Sequence, residues 1–237
     1  MDYNDWQRRV LKAAATTDGD TELLDYFPQV IDQAEQRCYR DTDLLATVVR
    51  DSSTSVTAYQ RDFALPSFLG RFVVVNHINV ITPVGAVVTN GTRNTVVQIS
   101  LAALDILWPN NQSPSPTTVP ANFAMVTDQV IAFGPSPGAS FQAEVVGTIR
   151  PPPISPTNPT TFLSQFLPDL FFAASMIAVV GYERDYGAQS DDPKMGLSWE
   201  QQYQTALQSV QTEEMRRKFS SMGWTSAAPA PIAQQPR

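Results

Sequence analysis

Apolar and polar positions alternate with different periods in different parts of the chain. Phe27, Val30, Ile31, Ala34 and Cys38 recur at helical spacing, with Asp32, Gln33, Gln36 and Arg37 on the opposite face. A preceding segment from about Asp5 to Ala15 also reads as helix. The second helix starts near Asp20 or Thr21, either of which can cap free amides. After about residue 50 the period shortens. Ser53 to Phe63, Phe72 to Val80, Ile81 to Val84, Ala86 to Thr89 and Thr95 to Ser100 read as short strands, and Asn90-Gly91 as a hairpin signal. Ser100 can cap one or two helical turns to Leu107, and Trp108 to Pro120 reads as a loop. Phe123 to Thr127, Gln129 to Phe133 and Phe141 to Ile149 complete the strands, with turns at Gly134-Pro135 and Pro137-Gly138.

Pro151 to Pro159 reads as a stiff extended connector. Thr160 or Thr161 can cap a short helix from Phe162 to Leu167. Pro168 suits the first turn of the next helix, where its missing N–H costs nothing, and Asp169 favours the same end electrostatically. That helix, to about Tyr186, is apolar around most of its circumference, so it must be buried on more than one side. Part of that burial is expected against another subunit, through Leu170, Phe171, Phe172 and Met176. A last helix, Ser198 to about Phe219, carries Trp199, Tyr203, Ala206, Leu207 and Val210 on one stripe. Arg216, Arg217 and Lys218 complement its C-terminal dipole.

The expected fold class is therefore α+β: a helical bundle from both chain ends, an inserted antiparallel β-sandwich or barrel module, and an extended C-terminal tail. The expected boundaries are 1–45, 46–157, 158–220 and 221–237.

Composition narrows the function. The net charge is −7, which argues against a protein whose main work is gripping nucleic acid. The stretch from 51 to 157 contains only Arg61, Arg71, Arg93, Arg150, Asp51, Asp62, Asp105, Asp128 and Glu144 as charges. A surface poor in charge and rich in proline suits coverage by partners. A single cysteine, Cys38, rules out an internal disulfide framework, and its place on an apolar stripe reads as a small buried hydrophobe. A single histidine, His77, rules out multi-His metal sites, and it falls inside a strand with no nucleophile elbow nearby. The paired carboxylates Asp41 and Asp43, Asp191-Asp192 and Glu213-Glu214 read as solvated faces, and no phosphate-cradling loop is present. No catalytic residue, cofactor or metal is expected, and the role is structural. The apolar run Leu170 to Val180 is too short to span a bilayer, and no targeting segment is visible from Met1 to Arg9.

The order of motifs resembles the head-to-tail adaptor (connector) family of tailed bacteriophages. The resemblance spans roughly residues 20–218. It is carried by Phe27-Pro28-Gln29-Val30-Ile31-Asp32 with Tyr39-Arg40-Asp41 after it, and by Asp62-Phe63-Ala64-Leu65-Pro66 leading into strands. Gly134-Pro135-Ser136-Pro137 and Asn158-Pro159-Thr160-Thr161 follow. Phe166-Leu167-Pro168-Asp169-Leu170 and the Trp199/Tyr203 helix are its most specific parts. The resemblance implies a ring of twelve copies in the virion neck, made in the host cytoplasm. The ring would dock under the portal protein and offer a surface to the next tail, nozzle or head-completion protein. DNA would pass through its lumen without specific binding, and no membrane would be involved. On that reading the tail after Ser220 docks on the portal, with Trp224 as main anchor and Pro229, Pro231 and Ile232 beside it. The alternative is a decoration or host-glycan-binding virion protein, using Trp108 and Phe123 as an aromatic platform.

Overall fold

The computed structural model describes residues 1–14, 21–110, 115–185 and 193–221. In chain order the elements begin with α1 (Tyr3–Ala13), α2 (Thr21–Asp41), β1 (Val48–Asp51), β2 (Ser55–Val56) and β3 (Asp62–Ala64). They continue with β4 (Arg71–Thr82), β5 (Thr92–Gln98), α3 (Leu101–Leu107), β6 (Asn122–Met125), β7 (Val130–Gly134) and β8 (Phe141–Arg150). The last are α4 (Phe162–Phe166), α5 (Pro168–Asp185) and α6 (Pro193–Ser221). The protein is α+β, and the chain divides into two compact units, Met1–Leu45 with Pro153–Arg237, and Ala46–Pro152.

The helical unit is built around α5, which touches α1, α2, α4 and α6. Leu170, Phe171, Met176 and Val179 are each 1% exposed or less. Trp6, from α1, stacks on Phe171 with ring centroids 4.3 Å apart, and its indole N–H donates to Ser175 Oγ at 3.4 Å. Leu170, Phe171 and Met176, expected at a subunit interface, are thus covered by the chain's own helices. Phe172 is half-buried, with the Arg9 guanidinium 4.3 Å from its ring centroid and Trp199 edge-on at 5.7 Å.

Two of the caps that the sequence predicts are formed. Thr161 and Ser164 make a reciprocal capping box before α4, and Ser100 Oγ accepts from the Ala103 amide at the start of α3. α2 runs through Pro28, although an interior proline removes a helical hydrogen bond. Its neighbours Leu23, Phe27, Val30 and Ile31 are buried, and that packing outweighs the loss. α6 starts at Pro193, earlier than expected, and turns Tyr203, Leu207, Val210 and Glu214 inward.

In the β unit the strands form one sheet, in the order β1-β8-β4-β5-β6-β7-β3, with β2 also paired to β8. An antiparallel sandwich or barrel was expected. Residues of β2 through β8 share a single core, including Val56, Phe63, Ile78, Phe123, Phe133 and Val145, so the sheet curls around it as a half-barrel. The pairing is antiparallel except between β5 and β6, which run parallel. Parallel neighbours need a crossover, and α3 with the loop after it supplies one. Leu104 of α3 packs on Ala124 and Ala132, whose small side chains let the helix approach the sheet. The segment Ser53 to Phe63 holds two short strands rather than one. Ile81 and Thr82 end β4, and the chain from Pro83 to Gly91 is the loop joining β4 to β5 rather than two further strands.

The curl is aided by two irregularities in β4, between Phe72 and Val74 and between Val75 and His77. Opposite them stands Gly147, where an added Cβ would lie 2.1 Å from the Val74 carbonyl oxygen. Gly147→Ala is expected to destabilise the β unit by about 1–3 kcal/mol, because backbone on both strands must shift. Phe171→Ala is expected to cost the helical unit about 3–5 kcal/mol through the cavity left beneath Trp6. Urea unfolding of each variant against the parent checks both values. A parent-like midpoint for either would show that its site is not tightly packed.

Candidate functional site

Among the described residues, no constellation of catalytic type gathers those that the sequence marks. His77 is half-buried on β4, and Cys38 is fully buried on α2. Burial pushes the Cys38 thiol up to about 12, with Glu35 and Asp41 adding to it, so the thiolate is disfavoured. Among the described residues no group of three or more His, Cys, Asp or Glu could hold a metal ion. Nor is any described helix long and apolar enough to cross a membrane. The paired carboxylates are engaged in ion pairs and hydrogen bonds. Asp41 accepts from the Tyr203 hydroxyl at 2.8 Å, Asp43 pairs with Lys218, and Glu213 and Glu214 both pair with Arg217. Asp191-Asp192 and the tail residues Trp224, Pro229, Pro231 and Ile232 lie outside the described residues.

Among the buried carboxylates to which the sequence alone assigns no role, Glu144 and Glu35 hold elements together. Glu144, 0% exposed, lies on β8 on the face opposite Val145. The Asn79 amide of β4 donates to its Oε1 at 2.8 Å. Arg93 of β5 donates at 3.1 and 3.3 Å, and Arg50 of β1 stands 3.8 Å from Oε2. Asn79 Oδ1 in turn accepts from the Thr95 hydroxyl at 2.9 Å. One carboxylate therefore ties four strands together on one face. Burial alone would raise its pKa. The hydrogen bonds from Arg93 and Asn79 and the charge of Arg50 outweigh that, so the pKa ends below the ordinary value and the group stays ionised.

Glu35 on α2 is 3% exposed and has only neutral donors. It accepts from the Ile154 amide at 3.1 Å and the Thr161 hydroxyl at 3.2 Å. It thereby fastens the start of the connector and the cap of α4 to α2. Burial pushes its carboxyl up to about 7. The two hydrogen bonds pull downward without offsetting that, and Asp32 adds a further push upward. Both glutamates sit in alternating or helical patterns that place them beside apolar residues. That position is the only sequence signal of their burial.

The described surface carries the remaining candidates. α3 has Leu104 buried but Ile106 80% and Leu107 58% exposed. Val73, Val74 and Val97, on β4 and β5, are each more than half exposed. Exposed apolar side chains gathered on a few elements mark contact surfaces. The expected glycan platform is absent, because Phe123 is 1% exposed in the β core and Trp108 is half-buried against Leu104 and its neighbours. The open groove between α2 and α5, about 700 Å³, is lined by Tyr26, Gln33, Arg37, Ala178 and Tyr182 among others. Its one cation, Arg37, already donates to Glu200 at 2.7 Å and covers the Tyr203 ring at 4.1 Å.

The described surface thus offers exposed apolar positions for contact with other proteins. The chain belongs to the SU10 adaptor protein family, whose family model matches residues 1–228. A comparison with curated proteins returns no match. Membership makes it a phage adaptor protein, a structural component of the virion that works by contacting other phage structural proteins.

The two carboxylates predict opposite responses to pH. The folded state holds a proton on Glu35 between the ordinary 4.5 and about 7, where the unfolded chain has lost it. Stability from this group is fully present below 4.5 and is lost as pH rises through 7, by about 3 kcal/mol in all. Glu144 contributes in the other direction, and its stabilisation is lost as pH falls below the ordinary carboxylate range. Glu35→Gln removes the titration and is expected to flatten the stability of the helical unit between pH 5 and 8, read by urea unfolding. A parent-like slope in the variant would assign the pH dependence to another group.

Proposed function

We propose that this protein is a head-to-tail adaptor: twelve copies form a ring in the virion neck, beneath the portal. The ring joins the capsid to the next tail protein, and DNA passes through its lumen. The observation that carries this reading is the family match, which runs across both units and into the C-terminal tail. Three physical features support it. The net charge of −7 gives a lumen little with which to hold phosphates, so DNA slides through. The β unit exposes Ile106, Leu107, Val73, Val74 and Val97, which suit subunit contacts. The tail carries Trp224, with Pro229, Pro231 and Ile232 beside it, which suit docking on the portal, with twelvefold repetition offsetting weak single contacts.

With the α5 residues enclosed, the ring is held through the β unit and through Phe172, the one residue of the expected set that keeps exposed surface. The role is structural and involves no catalytic step.

Mixing the purified protein with portal rings and measuring stoichiometry by native mass spectrometry tests the reading. Twelve copies per portal ring are expected, and loss of residues 222–237 is expected to weaken the complex. Folded protein that leaves portal rings unoccupied would overturn it.

A further inference from the structure

Charge is divided unevenly between the two units. The β unit, Ala46–Pro152, holds five arginines and five carboxylates, so the whole formal charge of −7 belongs to the rest of the chain. Within the β unit one cluster is out of balance. Glu144 is fully buried, and Arg93 donates to both of its oxygens while Asn79 donates to one. Arg50 adds a second cation to the same carboxylate. Its Nε stands 3.8 Å from Oε2, beyond hydrogen-bonding reach, and its side chain is 58% exposed. Two guanidiniums thus face one carboxylate, and the donors of Arg50 are left over. A guanidinium has five N–H donors in a fixed fork that matches a carboxylate. Around this cluster the sheet face is open. Thr95 and Val97 follow Arg93 on the same side of β5, and both are exposed.

The complementary face lies on α2. Glu22, Asp25, Gln29 and Asp32 are exposed, and their helical spacing sets them on one stripe. Among the described residues no cation pairs with Glu22, Asp25 or Asp32. Glu22 and Asp25 are one turn apart, about 5–6 Å between Cβ atoms. Two guanidiniums that converge on one carboxylate can meet both.

We propose that the Arg50 face of the β unit docks on the Glu22/Asp25 stripe of α2 in a second copy of the chain. Arg50 supplies the surplus charge, and the unpaired acids of the stripe receive it. Phosphates of DNA are disfavoured as occupants, because the net charge of −7 repels them. The two faces differ, so the contact is heterologous and repeats from copy to copy, closing into a ring where the rotation allows. It names a contact within the ring proposed above and rests on that reading for its place in the virion.

Sedimentation of the full chain over a range of concentrations, and native mass spectrometry on portal rings, test it. The parent is expected to self-associate at low salt. Raising the salt to about 1 M, where the screening length falls to about 3 Å, should weaken the association. Glu22→Lys with Asp25→Lys should weaken it about tenfold or more, and so should Arg50→Glu. Mixed in equal amounts, these two variants should regain it, since each meets its complement only on the other chain. Arg50→Gln, which puts no second carboxylate beside Glu144, should weaken it by a smaller factor and guards against a folding defect. Parent-like association of the α2 variant would overturn the proposal. So would a mixture of folded variants that stays apart, or a parent without contact between copies either free or on portal rings. Loss of DNA binding in Arg50→Gln with association unchanged would assign the arginine to phosphate and overturn it too. Twelve copies of the α2 variant on the portal would overturn this contact and leave the adaptor reading standing. Portal rings left empty by a parent whose variants still rescue each other would support the contact and overturn the adaptor reading.

Discussion

A helix that is apolar on nearly every side has to be enclosed, and α5 sets that requirement for the whole chain. It contacts every other helix of its unit, and those helices come from both ends of the sequence. α1 supplies Trp6, stacked on Phe171. α2 supplies Phe27, Val30 and Ile31, and α6 supplies Tyr203 and Leu207, all in one core. Burying an aromatic side chain of this size is worth about 1.5–3 kcal/mol, so this core has to be completed before the unit is stable. The chain ends meet on α5, and the β unit is therefore an insertion. The insertion is easily tolerated because its first and last long strands, β1 and β8, are antiparallel neighbours with Val48 opposite Thr148. The chain enters and leaves the sheet at adjacent points.

Glu144 and Glu35 show how each unit is fastened by different means. Glu144 is ringed by Arg93, Arg50 and Asn79, and its charge is retained because the donors more than repay desolvation. The outcome is a charged clamp across β1, β8, β4 and β5 on the face away from the apolar core. Glu35 has a backbone amide and a hydroxyl and no cation within hydrogen-bonding reach. Neutral donors do not offset burial, so the group holds its proton to about neutral pH. Where the connector begins, the fold thus has a tether whose strength falls as the solution becomes alkaline.

Much of this was legible in residue order. Helix starts were read from particular side chains: Ser100, Thr161 and Pro168 each stand where a helix begins, because capping is local chemistry. The stripe through Trp199, Tyr203, Leu207 and Val210 was legible for the same reason. What residue order leaves open is non-local. An all-round apolar helix announces that it will be covered, but periodicity does not say whether a neighbour or its own chain covers it. Leu170, Phe171 and Met176 turned out to be covered from within. Short strands with turns between them suggested an antiparallel sandwich or barrel, and nothing in residue order marked the α3 segment as the crossover that makes β5 and β6 parallel. Phe123 and Trp108 look like a binding platform until the curl of the sheet and the seat of α3 place one inside the core and half-bury the other.

The charge pattern of the β unit bears on how such a protein assembles. Arg61 pairs with Asp105, Arg71 with Asp128, and Arg50 and Arg93 with Glu144. Most of its few charges are thereby matched within the unit, and the rest of the surface is mainly Thr, Asn, Ser and Val. A partner laid on that surface has little ionic desolvation to overcome, and charges that are already paired discriminate weakly between orientations. Apart from the surplus charge of Arg50, register must then come from shape and from exposed apolar anchors such as Ile106 and Leu107, which sit on a short helix whose inner face is fixed by Leu104. An interface of that kind is weak contact by contact and gains strength wherever many copies of the contact act together.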